Sequence, residues 1–198
     1  EGLPRPRFLN LDLNVGVLNP QGTLTVSECE QKQANTDAFL ALVADPDGQY
    51  LELEMPDSTE RFLHVYANDP GFISQPRKLR QIRTPLVAEW GYWRASVAST
   101  DTVSGADTLV VGGTVRVYDP IFTFAGDGTI STSDWSLTIT GSGGPVIVDC
   151  GAREVTEGGN RADELLTITS REWGWLDPGN YAITSTVSVG VKWRNQWP

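Results

Sequence analysis

The sequence has a single histidine, His64, and only two cysteines, Cys29 and Cys150, in 198 residues. That supply leaves a zinc site short of ligands. Two cysteines this far apart make no disulfide framework, and point to a reducing site of synthesis. Basic charge is scarce too: 15 Lys and Arg stand against 25 Asp and Glu, for a formal net charge of -10. Affinity for nucleic acid rests on clustered cations that displace counterions from phosphate, and these cations are scattered. The densest run, Arg77 to Arg83, is short and reads first as the polar face of a strand. No apolar run reaches the length that crosses a bilayer, and no charged-then-apolar leader opens the chain. We therefore expect neither a nucleic-acid nor a membrane partner.

Catalytic signatures are missing as well. The chain has no Gly-x-Ser-x-Gly elbow, no Gly-x-x-x-x-Gly-Lys phosphate loop and no His-Glu-x-x-His pair. His64 lies between Leu63 and Val65 in a strand pattern, where a structural histidine is the simpler reading than a member of a triad. Glu52 and Glu54 share one strand face; a solvated face opposite the apolar one accounts for them without a carboxylate pair. Asp45, Asp47, Asp127 and Asp134 could offer oxygens to calcium, but none falls in a compact loop with EF-hand spacing. Turn chemistry explains them better. We expect no cofactor, no metal and no enzyme activity.

What the sequence does have is valine, threonine, serine, 20 glycines and seven tryptophans, the make-up of a mainly β protein. Alternate apolar residues from Leu9 to Val17 mark a half-buried strand. After a turn at Pro20 to Gly22, Ser27 and Glu30 fit a capping box, and a helical segment is expected between about Glu28 and Ala44. Leu51, Leu53 and Met55 alternate into a turn at Pro56 to Thr59 and on to Arg61 to Ala67, which reads as a hairpin. Residues Leu79 to Ala95 read as extended. Ser96 to Thr108 is small, polar and free of large apolar residues, and is the best domain boundary. Beyond it come short strand patterns at "LVVGGTVRVY", "PIFTFAG", "DWSLTIT", "PVIVDC", "ELLTITS", "YAITSTV" and "VSVGVKW". Turn signals at Gly126 to Gly128, Gly141 to Gly144, Gly158 to Asn160 and Asp177 to Asn180 give the spacing of a sandwich or jelly roll.

Four of the tryptophans, Trp173, Trp175, Trp193 and Trp197, crowd into the last 28 residues around Asp177-Pro178-Gly179-Asn180. Exposed rings on a sandwich could stack on sugars, so a carbohydrate-binding module is the rival reading. Trp193 continues the alternation of Val187, Val189 and Val191 and is expected to point inward. Trp175 and Trp197 flank turns or ends and stay open as glycan or partner contacts. Pro at the second and Gly at the third position of Asp177 to Asn180 is the chemistry of a type II turn. A glycan-cleaving enzyme ranks last, with only unpaired carboxylates behind it.

The last third resembles the distal tail proteins of long-tailed bacteriophages. The resemblance is carried by Val148-Asp149-Cys150, then Trp175-Leu176-Asp177-Pro178-Gly179-Asn180, then Val191-Lys192-Trp193-Arg194 and Trp197, in the family's order. "RFLNLDLNVGV", "NTDAFLALV" and "LELEMPDSTERFLHV" are similar to the sheet, helix and hairpin of its ring-forming domain. The resemblance implies a mainly β, structural virion protein with no catalysis: a ring-forming belt domain with one short helical segment over 1–96, a linker over 97–106 and a galectin-like β-sandwich over 107–198. It implies a homohexameric ring at the distal end of the tail tube, between the major tail tube protein and the tail-tip hub and receptor-binding proteins. The implied location is the virion tail tip, after assembly in the host cytoplasm. Members carry more sequence before the first strand, so with a start at Glu1 the belt domain is expected to lack part of its N-terminus.

Overall fold

A computed structural model describes residues 7–16, 34, 37, 48–55, 59–67, 71–74, 79–88, 91–170 and 172–198. The chain divides into two compact units, 1–93 and 94–198.

The first unit is built on an antiparallel sheet. Strand β1 (Arg7–Gly16) pairs along its full length with β5 (Leu79–Ala88). On the other side of β5 lie β4 (Gly71–Ser74), at 81–83, and β3 (Glu60–Ala67), at 86–88. Pro85 falls in the gap between those two partners, where a missing N–H is tolerated. The expected hairpin is present as β2 (Gln49–Glu54) paired with β3 and closed by a Met55 amide to Thr59 carbonyl bond of 2.9 Å. Leu63, Val65, Leu86 and Ala88 form its small buried core, with Leu51 and Trp93 packed against them. Glu52 and Glu54 are exposed, as a solvated strand face requires. His64 is half-buried between the rings of Tyr50 and Tyr66, each 4.8 Å away. Of the helical stretch expected between Glu28 and Ala44, Ala34 and Asp37 are described, and both are helical. The turn at Pro20 to Gly22, the capping residues Ser27 and Glu30, Cys29, Asp45, Asp47, the turn residues Pro56 to Ser58, and Arg77 and Lys78 lie outside the described residues.

Strand β6 (Trp93–Ala95) spans the boundary between the units, and the second unit then runs into β7 (Ser99–Val111). Most of the stretch read as a linker over 97–106 is therefore strand. Its small polar residues gave no apolar alternation to read, yet its backbone is held by a longer strand, β15 (Gly179–Trp193). Between them run β8 (Ile121–Phe124), β9 (Gly128–Ser131), β10 (Ser136–Ile139), β11 (Val146–Asp149), β12 (Glu154–Glu157), β13 (Asn160–Arg161), a 3-10 turn at Asp163–Leu165 and β14 (Leu166–Ile168). A two-residue β16 (Gln196–Trp197) closes the chain. Strands β7 to β15 make one nine-stranded sheet ordered β13-β12-β11-β8-β15-β9-β10-β14, with β7 along β15.

This sheet is folded over. The pairing of β7 and β15 shifts register between Ser185 and Val189. Before the shift β15 pairs with β9, and after it with β8. Each of the two long strands thus runs up one half of the sheet, bends, and returns along the other, as bulges allow. The halves enclose one core: Phe122, Phe124, Val146, Val148, Val155, Val189 and Val191 from one, and Leu109, Ile130, Leu137, Ile139 and Ile183 from the other. The alternation Val189, Val191, Trp193 holds, and all three are buried. The patterns "YAITSTV" and "VSVGVKW" are a single bent strand. "LVVGGTVRVY" is strand only to Val111; the rest is held by isolated bridges to Gln196 and Leu176, because Gly112 and Gly113 let other backbone lie against it.

Candidate functional site

The residues singled out in the closing segment gather at the end of the second unit opposite the strand bends. Trp175 is buried, with 9% of its surface exposed, which corrects its reading as an exposed glycan or partner contact. The physical reason is the company it keeps. The Trp135 indole N–H donates to the Trp175 carbonyl at 2.9 Å and to the Tyr181 hydroxyl at 3.0 Å. The Trp135 ring packs 6.5 Å from that of Trp175 and 5.4 Å from Phe122. The Arg116 guanidinium lies 5.0 Å from the centre of the Trp175 ring, a cation–π geometry, and closes an ion pair of 2.6 Å on Asp177. The Trp175 indole N–H meets no acceptor among the described residues. Trp173 and Trp197 are half-buried.

Asp177 to Asn180 leads from the Leu176 bridge into β15. Gly179 has φ +99, the left-handed backbone that the third position of a type II turn demands. Pro178, Gly179 and Asn180 are exposed, and Asn180 stands opposite Val110 in the strand register. The Arg116–Asp177 ion pair holds the start of the motif.

The last residues act as a clasp. The Arg194 guanidinium donates to the carbonyls of Ala95, at 2.9 Å, and Ser96. The Asn195 carbonyl accepts the Ala95 amide at 3.0 Å, and its side chain accepts the Trp193 indole N–H at 3.0 Å. The Gln196 carbonyl takes the amides of Thr114 and Val115, at 2.9 and 3.2 Å, and its side chain donates to Asp119 at 2.8 Å. Asp119 also pairs with Arg94 at 2.8 Å. Its burial raises its pKa above the ordinary carboxylate value, against the pull of Arg94, and nearby Asp149 pushes the same way as burial. Burial also pushes the Cys150 thiol far up, so Cys150 is an inert core residue. The Gly174 amide points to it, which brings Asp149-Cys150 beside the tryptophan segment. Sequence reasoning missed Arg116, Asp119 and Tyr181, and weighed Trp135 only as one of the aromatics that could stack on sugars. Their ion-pair and side-chain partners Arg94, Trp135, Asp177 and Gln196 lie 25 to 77 residues away, so no local spacing could announce them.

Of the acidic turn residues, Asp127 is tied into the fold, while Asp45 and Asp47 lie outside the described residues. Both Asp127 oxygens accept from the Gly141 and Ser142 loop, at 2.6 to 2.9 Å. Among the described residues no three His, Cys, Asp or Glu side chains are grouped to hold a metal ion.

No family model matches the sequence, and no curated protein does either. The structure does have a match: the chain is similar in fold to a solved phage protein. That protein is SPP1 Dit (gp 19.1), presented as a paradigm of the hub adsorption apparatus in phages that infect Gram-positive bacteria. The TM-score is 0.72 over 98% of this chain and 80% of that one, at 12% sequence identity.

Proposed function

We propose that the chain is a structural protein of the tail tip of a long-tailed bacteriophage, a distal tail protein. The observation that carries this is the shared fold across nearly the whole chain at 12% identity, in a sequence whose closing motifs independently resemble the same family. In this reading the first unit forms a homohexameric ring at the end of the tail tube. The ring joins the major tail tube protein to the hub and receptor-binding proteins, and the second unit is the outer, galectin-like sandwich. A ring needs a head-to-tail contact that closes by rotation. The ten-residue β1, whose partner among the described residues is β5 alone, offers such a strand edge.

The arrangement at the closing segment fits structural work, since Asp177, Arg194, Asn195 and Gln196 all direct their side chains to partners within the fold. Light scattering and negative-stain images of the full chain with its native tube neighbour test the proposal. Closed six-fold rings are expected; a chain that stays monomeric beside that neighbour overturns it.

A further inference from the structure

Strand β7 is an edge among the described residues, where its 13-residue length pairs with β15 alone. The backbone alternation shows which of its amides face outward. The Ser188 carbonyl accepts the Ala125 amide, so Ser188, Gly190 and Lys192 turn their backbone groups toward β8, and Val189 and Val191 turn theirs toward β7. Val191 stands opposite Asp101, and the Thr102 amide therefore points away from the sheet. It is not left open: it donates to the Asp101 carboxylate at 2.8 Å. Six residues on, past the bend at Gly105, the arrangement is repeated, with the Thr108 amide donating to Asp107 at 2.7 Å. All four residues are exposed.

We infer that Asp101 and Asp107 are gatekeepers that hold the β7 edge shut against a second copy of this chain. An unpaired edge of this kind is a template for strand addition, and it ends in Thr108-Leu109-Val110-Val111, where Val110 is 72% exposed. An incoming strand needs the outward amides as donors to its carbonyls. Here two of them are already taken, each by an oxygen that carries negative charge and repels a carbonyl. Two copies meeting edge to edge also bring four carboxylates together. The device does not depend on the tail-tip reading. Where that reading holds, it leaves strand-edge assembly to the first unit.

The test uses the full chain and the double variants Asp101→Ala with Asp107→Ala, and Asp101→Asn with Asp107→Asn. Amide hydrogen exchange is followed over residues 99–111 at several concentrations, beside sedimentation velocity. In dilute solution the alanine variant should exchange Thr102 and Thr108 about tenfold faster, the worth of a hydrogen bond to a charged acceptor. On concentration it should associate at about tenfold lower concentration than the parent, with new protection confined to 99–111. The asparagine variant keeps an acceptor without the charge and should fall between. Association through the first unit leaves the exchange of 99–111 unchanged, which separates this device from ring formation. Unchanged exchange at Thr102 and Thr108, or a folded alanine variant that associates no more than the parent, overturns the inference.

Discussion

The two ends of the second unit are held by opposite chemistry. At the end where the chain enters and leaves, loops are fixed by buried rings and part-buried ion pairs: Trp135 on Trp175 and Tyr181, Arg116 on Asp177, Arg94 on Asp119. At the end where β7 and β15 bend, carboxylates are laid onto glycine amides. Asp127 takes Gly141 and Ser142, and Glu157 takes Gly143 and Gly144 at 2.6 and 2.9 Å. Four successive amides are thereby satisfied with no apolar packing. Burying a polar group makes its partner obligatory, whereas water can replace a lost partner at an exposed one. The first end should therefore be brittle to substitution and the second tolerant.

The sharpest way to break this contrast is Gly113→Ala. A Cβ there would sit 2.3 Å from the Gln196 carbonyl oxygen and 2.8 Å from its amide, on a residue with φ +87. Backbone cannot move aside without releasing the clasp at Thr114, Val115 and Asp119. We expect a loss of about 4 kcal/mol in urea unfolding, from left-handed strain plus the released hydrogen bonds. A loss below about 1 kcal/mol, within the range of an ordinary surface change, would show that the clasp holds nothing.

A second comparison lies inside the brittle end. Trp135 and Trp175 are neighbours, but the Trp135 indole N–H serves two acceptors and that of Trp175 serves none among the described residues. Trp135→Phe strands the Trp175 carbonyl and takes one of two side-chain partners from the Tyr181 hydroxyl, which keeps Thr132, and should cost about 2 kcal/mol. Trp175→Phe trims a ring of similar burial without orphaning a partner, and about 1 kcal/mol is expected. Equal losses would mean that ring volume, not hydrogen bonding, sets the cost.

What could be read from the sequence follows the same division. The glycine turns were legible because their chemistry is local: Gly126 to Gly128 leads into β9, Gly141 to Gly144 lies between β10 and β11, and Gly158 to Asn160 leads into β13. Trp193 was legible because strand period two carries it inward from Val189 and Val191. Trp175 was not, since it lies in irregular chain and is buried by Arg116 and Trp135, 59 and 40 residues away along the sequence. The part of β7 before Leu109 was hidden for another reason. Its pairing with β15 is made by backbone, and Thr100, Ser104 and Ala106 carry no apolar alternation for a pattern to detect.

Protonation offers the gentlest probe of the two ends, because their key carboxylates shift in opposite directions. Asp127 is held below the ordinary carboxylate value, first by the Ser142 hydroxyl and then by the Gly141 and Ser142 amides. Its contribution is present above the unfolded value of about 3.9 and fades as pH falls through its lower folded value. Asp119 is raised, chiefly by burial. Its proton is bound more readily in the folded chain, so its contribution is full below the unfolded value and is lost as pH rises through the raised one. Urea unfolding from neutral pH down to the acid limit, for the parent, Asp119→Asn and Asp127→Asn, separates the two. The advantage of the parent over Asp119→Asn should grow on acidification, and its advantage over Asp127→Asn should shrink, beginning only below about pH 4. The exposure of Asp127 keeps that second effect the smallest of the set. Two difference curves that run parallel would erase the distinction between a buried, ion-paired end and a solvent-facing, amide-capped one.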